Sequence, residues 1–164
     1  MKKERWERWL ESKQLLDEDF NTYSRKAVIR KGATPIEIEG HLAKAKRNLR
    51  LARRIIDEFN DYYEWSIVAY YYSVYQAALA LCAQQGFKTK KHQATLLLLI
   101  KFYYPEHLQK TDLKNIATTL EIQDIQEFAM LKKSREEATY SISINYEKET
   151  AEKLGKSAIE FVSK

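Results

Sequence analysis

The 164 residues include 28 Lys and Arg against 23 Asp and Glu, a formal net charge of +5, with only four glycines and two prolines. So few turn formers, beside abundant Leu, Ala, Lys, Glu and Gln, exclude an all-β fold of many short strands and favour helices in one domain large enough for a real core. The single cysteine, Cys82, rules out an internal disulfide and fits a reducing compartment.

The chain opens with MKKERWERWL, which is charged throughout and has no apolar leader. Trp6, Trp9 and Leu10 recur at helical spacing, which predicts a short amphipathic helix. Residues Asp17 to Ala33 read as a weakly periodic linker with an extended piece at AVIRK. TPIE then marks a helix start, with Thr34 as N-cap, Pro35 at the first helical position and Glu37 closing a capping box. Beyond it Leu42, Ala45, Leu49, Ala52, Ile56 and Phe59 form one apolar stripe on a long helix, despite Gly40.

After the polar break NDYY, a second helix is expected from about Glu64 to Gln85, ended by Gly86 and antiparallel to the first. A third fits KHQATLLLLIKFYY and stops before Pro105. A fourth, broken or whole, covers DLKNIATTLEIQDIQEFAMLKKSREEATYS, and Asn145 caps a last helix that runs to the C-terminus. The fold class is therefore all-α: an up-and-down bundle of about five helices over 34–164, preceded by an N-terminal helix and linker over 1–33. The longest aliphatic run, Leu96 to Ile100, is too short to span a bilayer. A cytoplasmic protein without membrane contact is the expectation.

Within the second helix, Ser66, Ala69, Ser73, Ala77 and Ala80 make a stripe of small residues that allows close helix approach. Tyr71, Tyr75, Ala78 and Cys82 make a second stripe. Both read as core faces, although a buried phenol also needs a polar partner.

The segment YYEWSIVAYYYSVYQAALALCAQQGFKTKKHQATLLLLIKF resembles the core of the HEPN superfamily. In its small archaeal and bacterial members a W-S-I-x-A-Y-Y-x-x-Y-x-A-A-x-A-L helix precedes a G-[FY]-x-[ST]-K-x-H turn. LKKSREEATYS and the terminal AIEFV resemble the family's R-x-x-A-x-Y segment and last helix, so the likeness spans about Ile38 to Val162.

The resemblance implies an α-helical bundle that forms a homodimer. Many such domains are metal-independent ribonucleases with an R-x4-6-H motif near the dimer interface. Others lack the motif and bind RNA or nucleotide, or partner a minimal nucleotidyltransferase, in toxin–antitoxin and defence systems. In the motif, histidine can take the proton of a ribose 2′-hydroxyl while arginine stabilises the developing phosphorane charge.

This chain departs from that motif. None of His41, His92 and His107 follows an arginine at the required spacing. Arg135 occupies the family's arginine position, but five residues on stands Tyr140, a poor base with an ordinary pKa near 10. The departure argues against the usual ribonuclease chemistry. It leaves Arg135 as either a surface ion-pairing residue beside Glu136 and Glu137 or an anion-binding one, with Tyr140 near it.

His92, in KTKKHQAT, either packs at the start of the third helix or joins Lys88, Lys90 and Lys91 in holding an anion. No histidine or cysteine has metal-site spacing, and the four glycines make no phosphate loop, so neither metal nor cofactor is expected.

Independently of any family, KAKRNLRLARR places Lys44, Lys46, Arg47, Arg50, Arg53 and Arg54 on one helix with no acid among them. Lys46, Arg50 and Arg53 align, Arg47 and Arg54 lie beside them, and the Leu42/Leu49/Ile56 stripe faces away. A solvated face, a phosphate-tracking surface and a surface for an acidic protein all fit this pattern.

The reading that combines these features is binding of RNA or nucleotide, or of a nucleotidyltransferase on a separate chain, through Arg135, Tyr140, His92, Lys46, Arg50 and Arg53. One rival is a metal-independent endoribonuclease using Arg135, with a base from Tyr140 or from His92 of a second subunit. Another is a structural protein-interaction module.

Overall fold

The computed structural model describes residues 3–59, 62–121 and 148–164. Its elements are α1 (Arg5–Glu11), α2 (Lys13–Arg25), β1 (Ile29–Lys31), α3 (Pro35–Glu58), α4 (Tyr63–Gln84), β2 (Phe87–Thr89), α5 (His92–Tyr103), α6 (110–121) and α7 (Lys148–Ser163). The protein is thus predominantly all-α, with α3 to α7 as a bundle and α1–α2 as the helical extension.

The extension differs from its sequence reading. The segment expected to be a linker is largely the helix α2, capped by Ser12, whose Oγ accepts from the Leu15 N–H at 3.2 Å. Its apolar residues are few, so tertiary contacts hold it. Leu16 is buried, and Phe20 meets the edges of Phe87 and Phe102 at centroid distances of 5.6 and 6.5 Å. Lys101 pairs with Asp17 and lies 4.8 Å above the Phe20 ring. Trp6 and Trp9 are buried, and the Trp9 indole donates to the Asp19 carboxylate that Arg5 grips with two N–H groups.

The extended piece is β1, antiparallel to β2 with Ile29 opposite Thr89, Arg30 opposite Lys88 and Lys31 opposite Phe87. Ala27, with φ of 54°, turns the chain from α2 into this ribbon. Gly86, with φ of 82°, ends α4 and lets the chain enter β2.

The Thr34 cap and its box with Glu37 open α3 as expected. Antiparallel α4 lies against it through the small stripe. Ser66 Oγ donates to the Ala52 carbonyl at 3.0 Å, and Ser73 Oγ donates to the Ala45 carbonyl at 2.8 Å. Each side of this pattern repeats after seven residues, so the two contacts lie two helical turns apart along one seam. Ala45 and Ala52 are fully buried there. The ends of the expected α3 stripe differ: Leu42 is 39% exposed and Phe59 51% exposed.

Around α4 the other neighbours are α5, against Tyr71 and Cys82, and α7, whose Gly155 admits the buried Tyr70 ring. A Cβ at position 155 would lie 2.5 Å from the Tyr70 hydroxyl oxygen, so only glycine allows this approach without displacement. By length and composition alone α4 could cross a membrane, but 67% of its apolar window is buried inside the bundle. Asn145, expected to cap the last helix, lies outside the described residues.

Candidate nucleic-acid interface

The basic residues of α3 fall where the helical spacing predicted. Lys44, Lys46, Arg47, Arg50, Arg53 and Arg54 are all exposed; Arg47, Arg50 and Arg54 point away from the Ala45/Ala52 seam, and Lys44, Lys46 and Arg53 lie on its flanks. Lys46 to Arg54 covers about 12 Å along the helix. Among the described residues Arg54 pairs with Glu58 at 3.0 Å, whereas Lys44, Lys46, Arg47, Arg50 and Arg53 form no ion pair. Arg53 and Asp57 face Tyr70, whose phenol is pushed up chiefly by burial, with Arg53 opposing that shift. The ridge therefore holds Lys46, Arg50 and Arg53 together on one helix, with no acid among the described residues paired to them.

His92 belongs to a different place. It is the first residue of α5, and its Nε2 stands 2.8 Å from the Tyr71 hydroxyl, where either group can donate according to the imidazole tautomer. Tyr75 meets the same ring edge-on at 4.9 Å, and Tyr71 and Tyr75 stack at 5.9 Å. Burial pushes the Tyr75 phenol up, against a hydrogen bond with Thr95. Tyr71 and Ser73 point about 160° apart on α4. The histidine therefore lies on the α5 side and the ridge beyond the α3 side; the structure does not bring His92 together with Lys46, Arg50 and Arg53.

The anion group proposed around His92 is also changed. Lys88 is engaged by Glu37 at 2.7 Å, and this contact, with the Thr34 N–H, lowers the Glu37 carboxyl to about 2. Lys90 and Lys91 remain exposed. Arg135 and Tyr140 lie outside the described residues.

The Tyr71–His92 contact was not foreseen. Its only trace in the sequence is the Tyr71/Tyr75 stripe, which has no register against a histidine 21 residues away until the helices pack. Of the other histidines, His41 Nδ1 lies 2.7 Å from Gln76 Oε1, and the exposed His107 stands beside Tyr103 with ring centroids 6.2 Å apart. No group of His, Cys, Asp or Glu among the described residues could hold a metal ion. Cys82 is buried with its thiol pushed up to about 12 by desolvation, which makes it a packing residue rather than a nucleophile.

What this arrangement can do is hold anionic groups along α3; it presents no assembled nucleophile and base on the ridge. A search of curated proteins found no match. A scan against protein-family models matched the HEPN domain over residues 38–164, which leaves out α1, α2 and β1 but takes in the ridge, the Tyr71–His92 contact and every helix from α4 onward. On that match, over most of its length, the chain belongs to the HEPN family.

Proposed function

We propose that this protein binds RNA by its phosphate backbone along the α3 ridge, without the usual HEPN ribonuclease chemistry, as a cytoplasmic member of a toxin–antitoxin or defence-type system. The observation that carries this reading is the set of exposed cations on one rigid face, five of them without an ion pair among the described residues. Exposed ion-paired cations offer little to a ligand, while unpaired ones can exchange condensed counterions for the protein's own charge. Few aromatics interleave with them, so the binding is sequence-tolerant. A nucleotide, or an acidic face of a nucleotidyltransferase on a separate chain, would meet the same charges and compete with RNA.

The protein acts as a homodimer in this reading. Support comes from the face of α4 left between its α3 and α5 sides, where Trp65 is 51% and Tyr72 40% exposed and Val68 and Leu79 are half-buried. Leu51 of α3, also 51% exposed, adds to the exposed apolar surface.

Incubation of the protein with mixed cellular RNA in chelator, followed by anisotropy with a labelled RNA, tests the reading. Intact RNA bound in a salt-sensitive manner is the expected result. Cleavage by the wild type that Arg135→Ala abolishes would replace it with the endoribonuclease reading. Absence of RNA affinity, with co-purification of an acidic protein, would replace it with the interaction-module reading.

A further inference from the structure

The β1–β2 ribbon gathers a second set of cations from two distant parts of the chain. Residues 25–31 contain Arg25, Lys26, Arg30 and Lys31 and no acid; residues 86–93 contain Lys88, Lys90 and Lys91 and no acid. The ladder sets Arg30 directly opposite Lys88, a like-charge pair that works against strand pairing. Inward, Ile29 and Thr89 are buried and hold the ribbon to the bundle, aided by Phe87 against Phe20 and Phe102. On the opposite face of the ladder stand Arg30 and Lys88, and Arg25, Lys26, Arg30, Lys31, Lys90 and Lys91 are all exposed.

Among the described residues Lys88 pairs with Glu37, whereas Lys26, Arg30, Lys31, Lys90 and Lys91 have no ion-pair partner. Collecting these charges costs self-repulsion, and among the described residues none of the five is offset by an ion-paired acid.

The ribbon also has a position relative to the ridge. Glu37, which holds Lys88, is one heptad before Lys44, so the two lie on nearly the same face of α3 about 10 Å apart. Lys44 is the first of the six cations along α3 and neighbours Arg47, one turn on. From Lys44 the cations Arg47, Arg50 and Arg53 follow at three-residue steps, so one row of exposed charge winds round α3 from the Glu37 flank to the ridge.

We infer that the β1–β2 ribbon is a second phosphate-contacting surface, so that one RNA strand runs from the α3 ridge onto cations supplied jointly by the N-terminal extension and the segment after α4. The inference rests on the RNA reading of the ridge, but it assigns the extension, which lies outside the family-matched residues, a direct part in binding.

The experiment uses the full chain and a labelled, mixed-sequence single-stranded RNA, with affinity measured across a salt series. Three proteins are compared: wild type, the ribbon variant Arg30→Ala/Lys90→Ala and the ridge variant Arg50→Ala/Arg53→Ala. Each phosphate contact on a single strand contributes about 0.7 to the slope of log affinity against log salt, so the ribbon variant is expected to lose about 1.4. A second ribbon variant off the ladder, Lys26→Gln/Lys91→Gln, keeps the test open should strand pairing fail in the first, and it should lose a similar amount. An unchanged slope in both ribbon variants, with a reduced slope in the ridge variant, overturns the ribbon alone. A reduced slope only in the ribbon variants supports the ribbon and overturns the ridge. No wild-type affinity overturns both.

Discussion

The two sides of α3 use one helix for opposite purposes. Toward α4 it shows Ala45 and Ala52, fully buried, with their carbonyls accepting from Ser73 and Ser66. Around the rest of its surface it carries six exposed cations, of which Arg54 alone has an ion-pair partner among the described residues. Elsewhere cations tie distant parts of the fold together: Arg5 to Asp19, Lys101 to Asp17 and Lys164 to Asp112. The difference separates residues that hold the bundle from residues that are available to a partner. The first should resist substitution; the second should tolerate it structurally and lose binding.

The largest stability effect is expected at the seam. Ala52→Leu inserts three heavy atoms where the helices touch, beside Ser66, and should destabilise the protein by about 1–3 kcal/mol in denaturant unfolding. A cost near zero would mean that α3 and α4 are free to separate locally. Ser73→Ala should be milder, about 1 kcal/mol, because it removes one buried hydroxyl donor while the Ala45 carbonyl keeps its helical position. By contrast Arg50→Ala/Arg53→Ala should shift stability by no more than about 0.5 kcal/mol per substitution. A loss as large as that of Ala52→Leu would move these arginines from the binding side of the comparison to the structural side.

The smallest effect concerns acid. Glu37 has its folded pKa lowered to about 2 by Lys88 and the Thr34 cap, against an ordinary value of 4.5. Its contribution is therefore complete above about 4.5 and disappears as pH falls toward about 2. Thermal melts over that window should show a shallower loss of Tm in Glu37→Gln than in wild type. Parallel curves would mean that the Glu37–Lys88 contact does not anchor the ribbon to α3.

Much of this architecture was legible because it is local. The Thr34–Glu37 box, the helix end at Gly86 and the Ala45/Ala52 stripe each depend on residues within a few turns of one another. The helix α2 was not, because Leu16, Phe20 and Tyr23 form too short a stripe to outweigh its charges. Its stability comes from Phe87, Phe102 and Lys101, far along the chain. Strand β2 was missed for the same reason, since its partner lies about 60 residues earlier.

At the candidate site, the ridge could be read from 100° spacing because a single helix carries it. The Tyr71–His92 contact and the engagement of Lys88 by Glu37 each join residues from different elements, and no periodicity reports such a register.

The measurement that bears most directly on the central claim is a comparison of salt slopes for RNA binding between two charge-matched variants. One is Arg50→Ala/Arg53→Ala on the ridge; the other is Lys153→Ala/Lys156→Ala, two exposed cations of α7. The account predicts a loss of about 1.4 in slope for the ridge variant and none for the α7 variant. Equal losses in the two would contradict it, because binding would then follow net charge rather than the face that α3 presents.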